Sequence, residues 1–238
     1  MYDVIYVALD FATWQEAESF INDHHLHGVP VKVGMELFYR EGPDIIKRLK
    51  ENNHAIFLDL KLHDIPTTVY KAMKNIAKLE VDIVNVHSVG GQEMIRRAKE
   101  CVMEVNQTGY QTTLIAVTML TSLSPLMLKE ELMIHDNLED YVVHLAKLTQ
   151  ASGGDGVVCS VHEVEAIKQA CGSSFVTVTP GIRLKGGKQH DQTRIATPTL
   201  ARDRGSDILV IGRSITQASN PKQAYPQAIE EWNNERQS

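Results

Sequence analysis

Between Phe57 and Thr68 the chain reads Phe57-Leu58-Asp59-Leu60-Lys61-Leu62-His63-Asp64-Ile65-Pro66-Thr67-Thr68. Ala55 to Leu60 is an apolar run of strand length, and residues two apart on a strand point to one side, so Asp59 and Lys61 share a face. Asp64 stands just ahead of Pro66, a residue favoured in the first helical turn. Three charges thus fall where a buried strand gives way to a helix. Singly, each piece fits a structural role, Asp64 as a helix cap and Asp59 with Lys61 as an ion pair. Together they place an ammonium between two carboxylates at the mouth of an apolar strand, an arrangement that is costly unless every charge is paired. A second lysine, Lys32, interrupts another apolar run, Pro30 to Met35. Asp59 and Lys61 are the nearest candidates to partner it.

The second constellation lies late in the chain. Thr179-Pro180-Gly181-Ile182-Arg183 and Ile211-Gly212-Arg213 each end an apolar run with an arginine, and a polar, glycine-rich loop from Leu184 to Asp191 follows the first. Arg213 can clamp phosphate oxygens in a bidentate way, and Gly212 lets the backbone come close.

What must position these residues is an alternation of β-rich runs and amphipathic helices that extends almost from end to end. Strands are expected at Val4 to Leu9, Pro30 to Met35, Ala55 to Leu60, Asp82 to Val86, Thr112 to Leu120, Gly156 to Cys159, Phe175 to Val178 and Asp207 to Ile211. Between them run helical stripes such as Val69, Met73, Ile76 and Ala77, and Thr13 with Glu16 and Ser160 with Glu163 read as capping boxes. Eight strands, each followed by a helix and with no linker between, predict an α/β fold, one (β/α)8 barrel over residues 1–238 with a short polar tail at about 233–238. The doubly wound sheet fits less well, because the turn after the first strand, Asp10-Phe11-Ala12-Thr13, lacks the glycines of a dinucleotide-binding loop. A barrel carries its site at the carboxyl ends of the strands. Those ends supply Asp10, Lys32, Asp59, Lys61, His87, Thr121, Ser160, Arg183 and Arg213, whereas the amino ends show nothing comparable. A closed barrel has no strand edge from which Lys32 could reach water, so it needs an anionic partner. Loops after strands seven and eight commonly hold phosphate in this architecture.

Composition narrows the function classes. A formal net charge of −6 argues against general nucleic-acid binding. Cys101, Cys159 and Cys171 have no metal-type spacing, and their odd number suits reduced thiols. No basic, apolar leader opens the sequence and no run approaches a membrane span, so a soluble cytoplasmic protein is expected. His24, His25 and His27 cluster near a helix end away from the strand carboxyl ends, which marks them as surface residues rather than metal ligands.

The stretch Asp59 to Thr68 resembles the signature of orotidine 5′-phosphate decarboxylases of the bacterial type. The resemblance extends through Val7-Ala8-Leu9-Asp10, Lys32-Val33-Gly34, Val117-Thr118-Met119-Leu120-Thr121-Ser122, Thr179 to Arg183, Asp191-Gln192-Thr193-Arg194 and Val210-Ile211-Gly212-Arg213. It departs at Ser214, where the family often has proline, which touches loop rigidity more than activity. The resemblance implies a homodimer that converts orotidine 5′-phosphate to uridine 5′-phosphate (UMP) and carbon dioxide, the last step of pyrimidine nucleotide synthesis, with no metal or organic cofactor. It implies that Lys61 protonates C6 of the pyrimidine and that Asp59 and Lys32 orient it and meet the ribose, with Asp10. Asp64, with Ile65 and Thr68, is implied to reach in from the partner subunit. Thr121 and Ser122 are implied at the pyrimidine edge, and Arg183, Gln192, Gly212 and Arg213 at the phosphate, with Pro180 among the substrate contacts and the strand-seven loop closing over it. Two alternatives stand beside this reading. A Mg²⁺-dependent sugar-phosphate branch shares the Asp-x-Lys-x-x-Asp core but carries Ala-Gly where this chain has Ile65-Pro66. A barrel that only binds a phosphate would not require Lys61 between two carboxylates.

Overall fold

The computed structural model describes residues 4–107, 109–185 and 195–234. Eight parallel strands close on themselves in sequence order: β1 (Ile5–Ala8), β2 (Val31–Gly34), β3 (Ile56–Leu62), β4 (Ile83–His87), β5 (Thr113–Val117), β6 (Gly156–Val158), β7 (Val176–Thr179) and β8 (Ile208–Ile211), with β8 pairing back onto β1. The helices between them are α1 (Trp14–Asp23), α2 (Met35–Glu41), α3 (Asp44–Glu51), α4 (Pro66–Ala77), α5 (Gly91–Asn106), α6 (Pro125–Glu130), α7 (Leu138–Ala151), α8 (Val164–Cys171), α9 (Pro198–Asp203), α10 (Arg213–Thr216) and α11 (Pro221–Asn233). The predicted (β/α)8 barrel is the observed fold. Differences are local. Met35, read as the end of the second strand, begins α2, and the helix expected around Leu128 to Met133 starts earlier, at Pro125, where the Ser124 side chain accepts the Met127 amide. Ser160 and Glu163 form the full capping box, whereas Glu16 takes the Ala12 amide rather than that of the cap residue Thr13.

Alternation along the strands divides the apolar residues into two cores. Tyr6, Phe57, Ile83, Ile115, Val178, Ile208 and Val210 fill the barrel interior, while their neighbours, such as Val7, Leu58 and Val84, pack outward against helices. One step further along the interior rows, Phe57 gives way to Asp59 and Ile83 to Asn85. The floor of the barrel is therefore hydrocarbon and its upper layer is polar.

The amino ends are less bare than the sequence suggested. Asp82, Asp155 and Asp207 each immediately precede an even-numbered strand. Their carboxylates accept the backbone amides of Ile56 (2.6 Å), Leu114 (2.8 Å) and Thr177 (2.7 Å) on the preceding odd strand. Their own amides donate back to the carbonyls of those same residues at 3.0, 2.8 and 3.2 Å. Tyr110, Lys99 and Lys168 respectively add a further donor to each carboxylate. These are two-point clasps between strands, structural where the upper charges face a cleft. Beside the middle one, Gly156 is obligatory, since a Cβ there would lie 2.2 Å from the Val176 carbonyl oxygen.

Candidate active site

The upper layer begins with β2 and β3. Gly34 is in register with Asp59, and β1 places Ala8 beside Lys32. Because Gly34 has no side chain, the Lys32 ammonium can turn across the space above it: a Cβ there would sit 3.0 Å from Lys32 Nζ and 3.3 Å from Asp10 Oδ1. Lys32 Nζ lies 3.0 Å from Asp10 Oδ1 and 3.3 Å from Asp59 Oδ2. The other oxygen of Asp59 accepts from Lys61 Nζ at 2.6 Å and from Asn85 Nδ2 at 2.7 Å. Asp10, Lys32, Asp59 and Lys61 are thus one continuous chain of alternating charge.

Lys61 holds its place with an unusual backbone. Its φ is +52°, in the left-handed region that side-chain-bearing residues rarely occupy, and the β3–β4 register shifts between Leu58 and Leu62. Its amide donates to Asn85 Oδ1 at 2.7 Å.

Burial is the largest single influence on the charge of both Asp59 and Lys32, and it opposes charge on each. For Asp59 it is outweighed by the ammoniums of Lys32 and Lys61 and by the hydrogen bonds from Lys61 and Asn85, so the carboxyl is held below the usual carboxylate range. For Lys32 the carboxylates of Asp59 and Asp10 outweigh it, and the ammonium is held above its ordinary value. Both are ionised at neutral pH. His87, at the end of β4, is pushed below the ordinary imidazole range by burial first, and then by His63 and Lys61. The two imidazole rings stand 5.8 Å apart between centroids.

Above this layer lies a cleft with two lobes. One, of about 140 Å³, is lined by Phe57, Asp59, Lys61, Val117, Met119, Leu120, Thr121 and Val158. The other, of about 410 Å³, is lined by Asp10, Gly181, Arg183, Gly212, Arg213, Thr216 and Gln217. Lys32, Pro180 and Val210 line both, so the lobes are continuous. One end is largely apolar and includes the Thr121 hydroxyl; the other is cationic; the ion chain runs from one to the other. In the cationic lobe Arg183 is buried and its Nη1 donates to the Ile182 carbonyl at 2.9 Å, which also accepts Ser214 Oγ at 3.1 Å. Ser214 therefore ties α10 to the segment that follows β7. Ile182 bridges Ala196, and Arg183 N donates to Ala196 O at 2.8 Å.

Of the residues expected from sequence, the fold brings together Asp10, Lys32, Asp59, Lys61, Thr121, Pro180, Arg183, Gly212 and Arg213. Ser122 is exposed beside Thr121, and Asp64, Ile65 and Thr68 are exposed at the start of α4, where Asp64 Oδ1 accepts the Ile65 amide at 2.6 Å. Gln192 lies outside the described residues. The sequence reading missed Asn85 and the role of Gly34. The signal for Asn85 was a polar residue at an interior-facing position of the run Ile83 to His87. His24, His25 and His27 do not converge, and no group of three or more potential metal-ligating side chains occurs among the described residues.

Residues 3–228 match the family model described as "Orotidine 5'-phosphate decarboxylase / HUMPS family". The chain belongs to this family. An orotidine 5′-phosphate decarboxylase of Bacillus mycoides (strain KBAB4) is 55% identical over 229 residues, 95% of each chain. One from Bacillus cytotoxicus is 53% identical over 227 residues. Among solved structures, the orotidine 5′-phosphate decarboxylase of Lactobacillus acidophilus has a TM-score of 0.85 at 41% identity, over 98% of this chain and 100% of that one. An uncharacterized conserved protein from Geobacillus kaustophilus has the same TM-score, 0.85, at 46% identity over 96% of this chain and 100% of its own.

Proposed function

We propose that Lys61 is the proton donor, with Asp59 and Lys32 as its orienting partners, in the decarboxylation of orotidine 5′-phosphate that membership of this family assigns to the chain. The observation that carries the reading is the Lys61 ammonium, 2.6 Å from Asp59 in the apolar lobe of a cleft whose other lobe carries two arginines. Loss of carbon dioxide from C6 leaves the electron pair on a ring carbon with little conjugative relief. An ammonium already fixed beside that carbon stabilises the pair without reorganisation and then gives it a proton, which the ordered ion chain keeps aimed. Asp59, held ionised, stands against the departing carboxylate. Arg183 and Arg213 bind the phosphate at a distance from the reacting carbon, and this remote binding energy serves to align the base. Thr121 supplies a polar contact to the pyrimidine edge, and Asp10 with Lys32 meets the ribose.

The protomer is completed by a second copy. Three successive βα connections leave large apolar side chains exposed at the cleft end of the barrel: Met35 and Tyr39 after β2, Ile65 after β3 and Val89 after β4. Such a cluster marks a surface made for contact. In the dimer Asp64, Ile65 and Thr68 enter the neighbouring cleft and extend the ion chain to Lys-Asp-Lys-Asp. The Mg²⁺-dependent alternative fits poorly, because both oxygens of Asp59 already face ammonium groups, which would repel a dication.

The test is the ultraviolet decarboxylation assay with orotidine 5′-phosphate in the presence of EDTA, run on the parent and on Lys61→Ala. The parent is expected to turn over at full rate with chelator, and Lys61→Ala to bind UMP but lose turnover. Unchanged decarboxylation by the variant refutes the role of Lys61, and loss of parental activity in EDTA that Mg²⁺ restores favours the metal-dependent branch.

A further inference from the structure

We propose that Asn85 is a positioning residue for the reaction: its carboxamide fixes Lys61 by both ends, taking the backbone amide directly and the ammonium through Asp59. This rests on the reading of Lys61 as the proton donor. The geometry is a closed ring. Asn85 Oδ1 accepts Lys61 N at 2.7 Å, Asn85 Nδ2 donates to Asp59 Oδ1 at 2.7 Å, and the same Asp59 oxygen accepts Lys61 Nζ at 2.6 Å. The orientation of the amide is fixed by its partners, since a backbone N–H can only donate and a carboxylate can only accept. Asn85 is 2% exposed, so neither bond is replaced by bulk water when it is lost.

The ring explains why this side chain is an amide. Its place on β4 faces a donor and an acceptor at once, and a neutral group that offers both at that reach is a carboxamide. Leucine offers neither bond. Aspartate keeps the acceptor but, when ionised, sets a second negative charge against Asp59. The ring also accounts for the backbone of Lys61. A left-handed φ of +52° is the province of glycine, and a lysine held there is strained relative to an extended conformation. Glycine cannot supply an ammonium, so the conformation is held by an outside partner, and Asn85 is bonded to that very amide. Burial and the two lysines govern the ionisation of Asp59, and the Asn85 bond contributes to keeping it charged. His87, two residues on along β4, with His63 beside it, is the titratable neighbour on this side, and Lys32 and Asp10 flank Asp59 on the other.

The experiment compares Asn85→Leu, Asn85→Asp, Lys61→Ala and parent in steady-state decarboxylation and UMP binding. Asn85→Leu is expected to lose on the order of 10²-fold in kcat, the scale of a buried hydrogen bond to a charged group, with UMP affinity within about threefold of parent because the phosphate lobe is untouched. For Asn85→Asp the readout is pH. Burial and the nearby Asp59 raise the pKa of the introduced carboxyl, so it becomes neutral in mild acid and regains an O–H donor while keeping its acceptor. Its kcat relative to parent is therefore expected to rise at least about tenfold between pH 8 and pH 5.5, a recovery that loss of packing alone would not give. If Asn85→Leu is not recovered folded, this ratio decides. A flat ratio, or kcat of Asn85→Leu within threefold of parent, overturns the proposal. Should Lys61→Ala turn over like the parent, the reading of Lys61 falls instead; a dead Lys61→Ala beside parent-like Asn85 variants sinks only the inference about Asn85.

Discussion

Replacing Lys32 with Met removes one ammonium and keeps most of the stem, which makes it a direct measure of what the buried ion chain contributes. Lys32 Nζ is 3.3 Å from Asp59 Oδ2, and a pair at that distance attracts by about 5 kcal/mol at an effective dielectric of about 20. Several terms reduce that figure. The buried ammonium no longer has to be stripped of water, which returns several kcal/mol. Asp59 keeps Lys61 at 2.6 Å and Asn85 at 2.7 Å. The Asp10 side chain, 61% exposed, rehydrates, so its share is discounted as a surface pair. The net loss is about 1–3 kcal/mol, which for a chain of this length lowers Tm by about 2–12 °C. The pH dependence follows from the two shifts. The pKa of Asp59 is depressed in the folded state, so its contribution is complete above the ordinary carboxylate value and is lost as pH falls through the folded value. The pKa of Lys32 is raised, so its contribution is complete below the ordinary ammonium value and is lost as pH rises through the folded value. Neither group titrates between about pH 5 and pH 9. Melting curves of parent and variant at one protein concentration should therefore differ by a constant amount across that range. A variant as stable as the parent, or a difference that titrates near neutrality, would refute the reasoning, the latter by implicating a histidine such as His87.

Gly34→Ala puts a methyl 3.0 Å from Lys32 Nζ, so the ammonium must shift by a few tenths of an ångström; kcat/KM is expected to fall about tenfold with Tm nearly unchanged, as small misplacements in a catalytic array do, and parental kinetics would show that the crowding is absorbed elsewhere. Arg213→Ala, at the cationic lobe, is expected to weaken UMP binding by about 10²-fold through loss of a charge-assisted bidentate contact; equal kinetics for variant and parent would remove it from the phosphate site. Asp64→Asn and Lys61→Ala, each inactive alone, should recover activity when mixed, because one cleft of the heterodimer then holds both native groups. Absence of recovery, with subunit exchange demonstrated by mass, would argue against a shared site.

Much of this was readable from residues alone, and the reasons are physical. Strand existence followed from apolar runs bounded by Gly, Pro and caps, and the placement of charges at the carboxyl ends followed from their position in each run. Lys32, embedded between Val31 and Val33, forced the question of its partner before any coordinates did. What escaped notice depends on contacts between strands. Asn85 looks like one polar residue in a buried run until β3 and β4 are paired and its amide meets Lys61 and Asp59. Gly34 reads as one small residue inside the run Pro30 to Met35 until register sets it opposite Asp59. Asp82 and Asp207 read only as the first residues of their strands, because a sequence does not show which backbone amide lies within reach.

Those aspartates carry a consequence for how the barrel is put together. Each one joins strands 3 to 4, 5 to 6 or 7 to 8, partners separated by only 26, 41 and 30 residues. Alignment is thereby written into each strand–helix–strand module, at the low entropic cost of a short loop, and does not wait on the meeting of β8 with β1. The ring is in this sense a set of self-registering pairs. Its rim is left open to carry whatever loops a reaction demands.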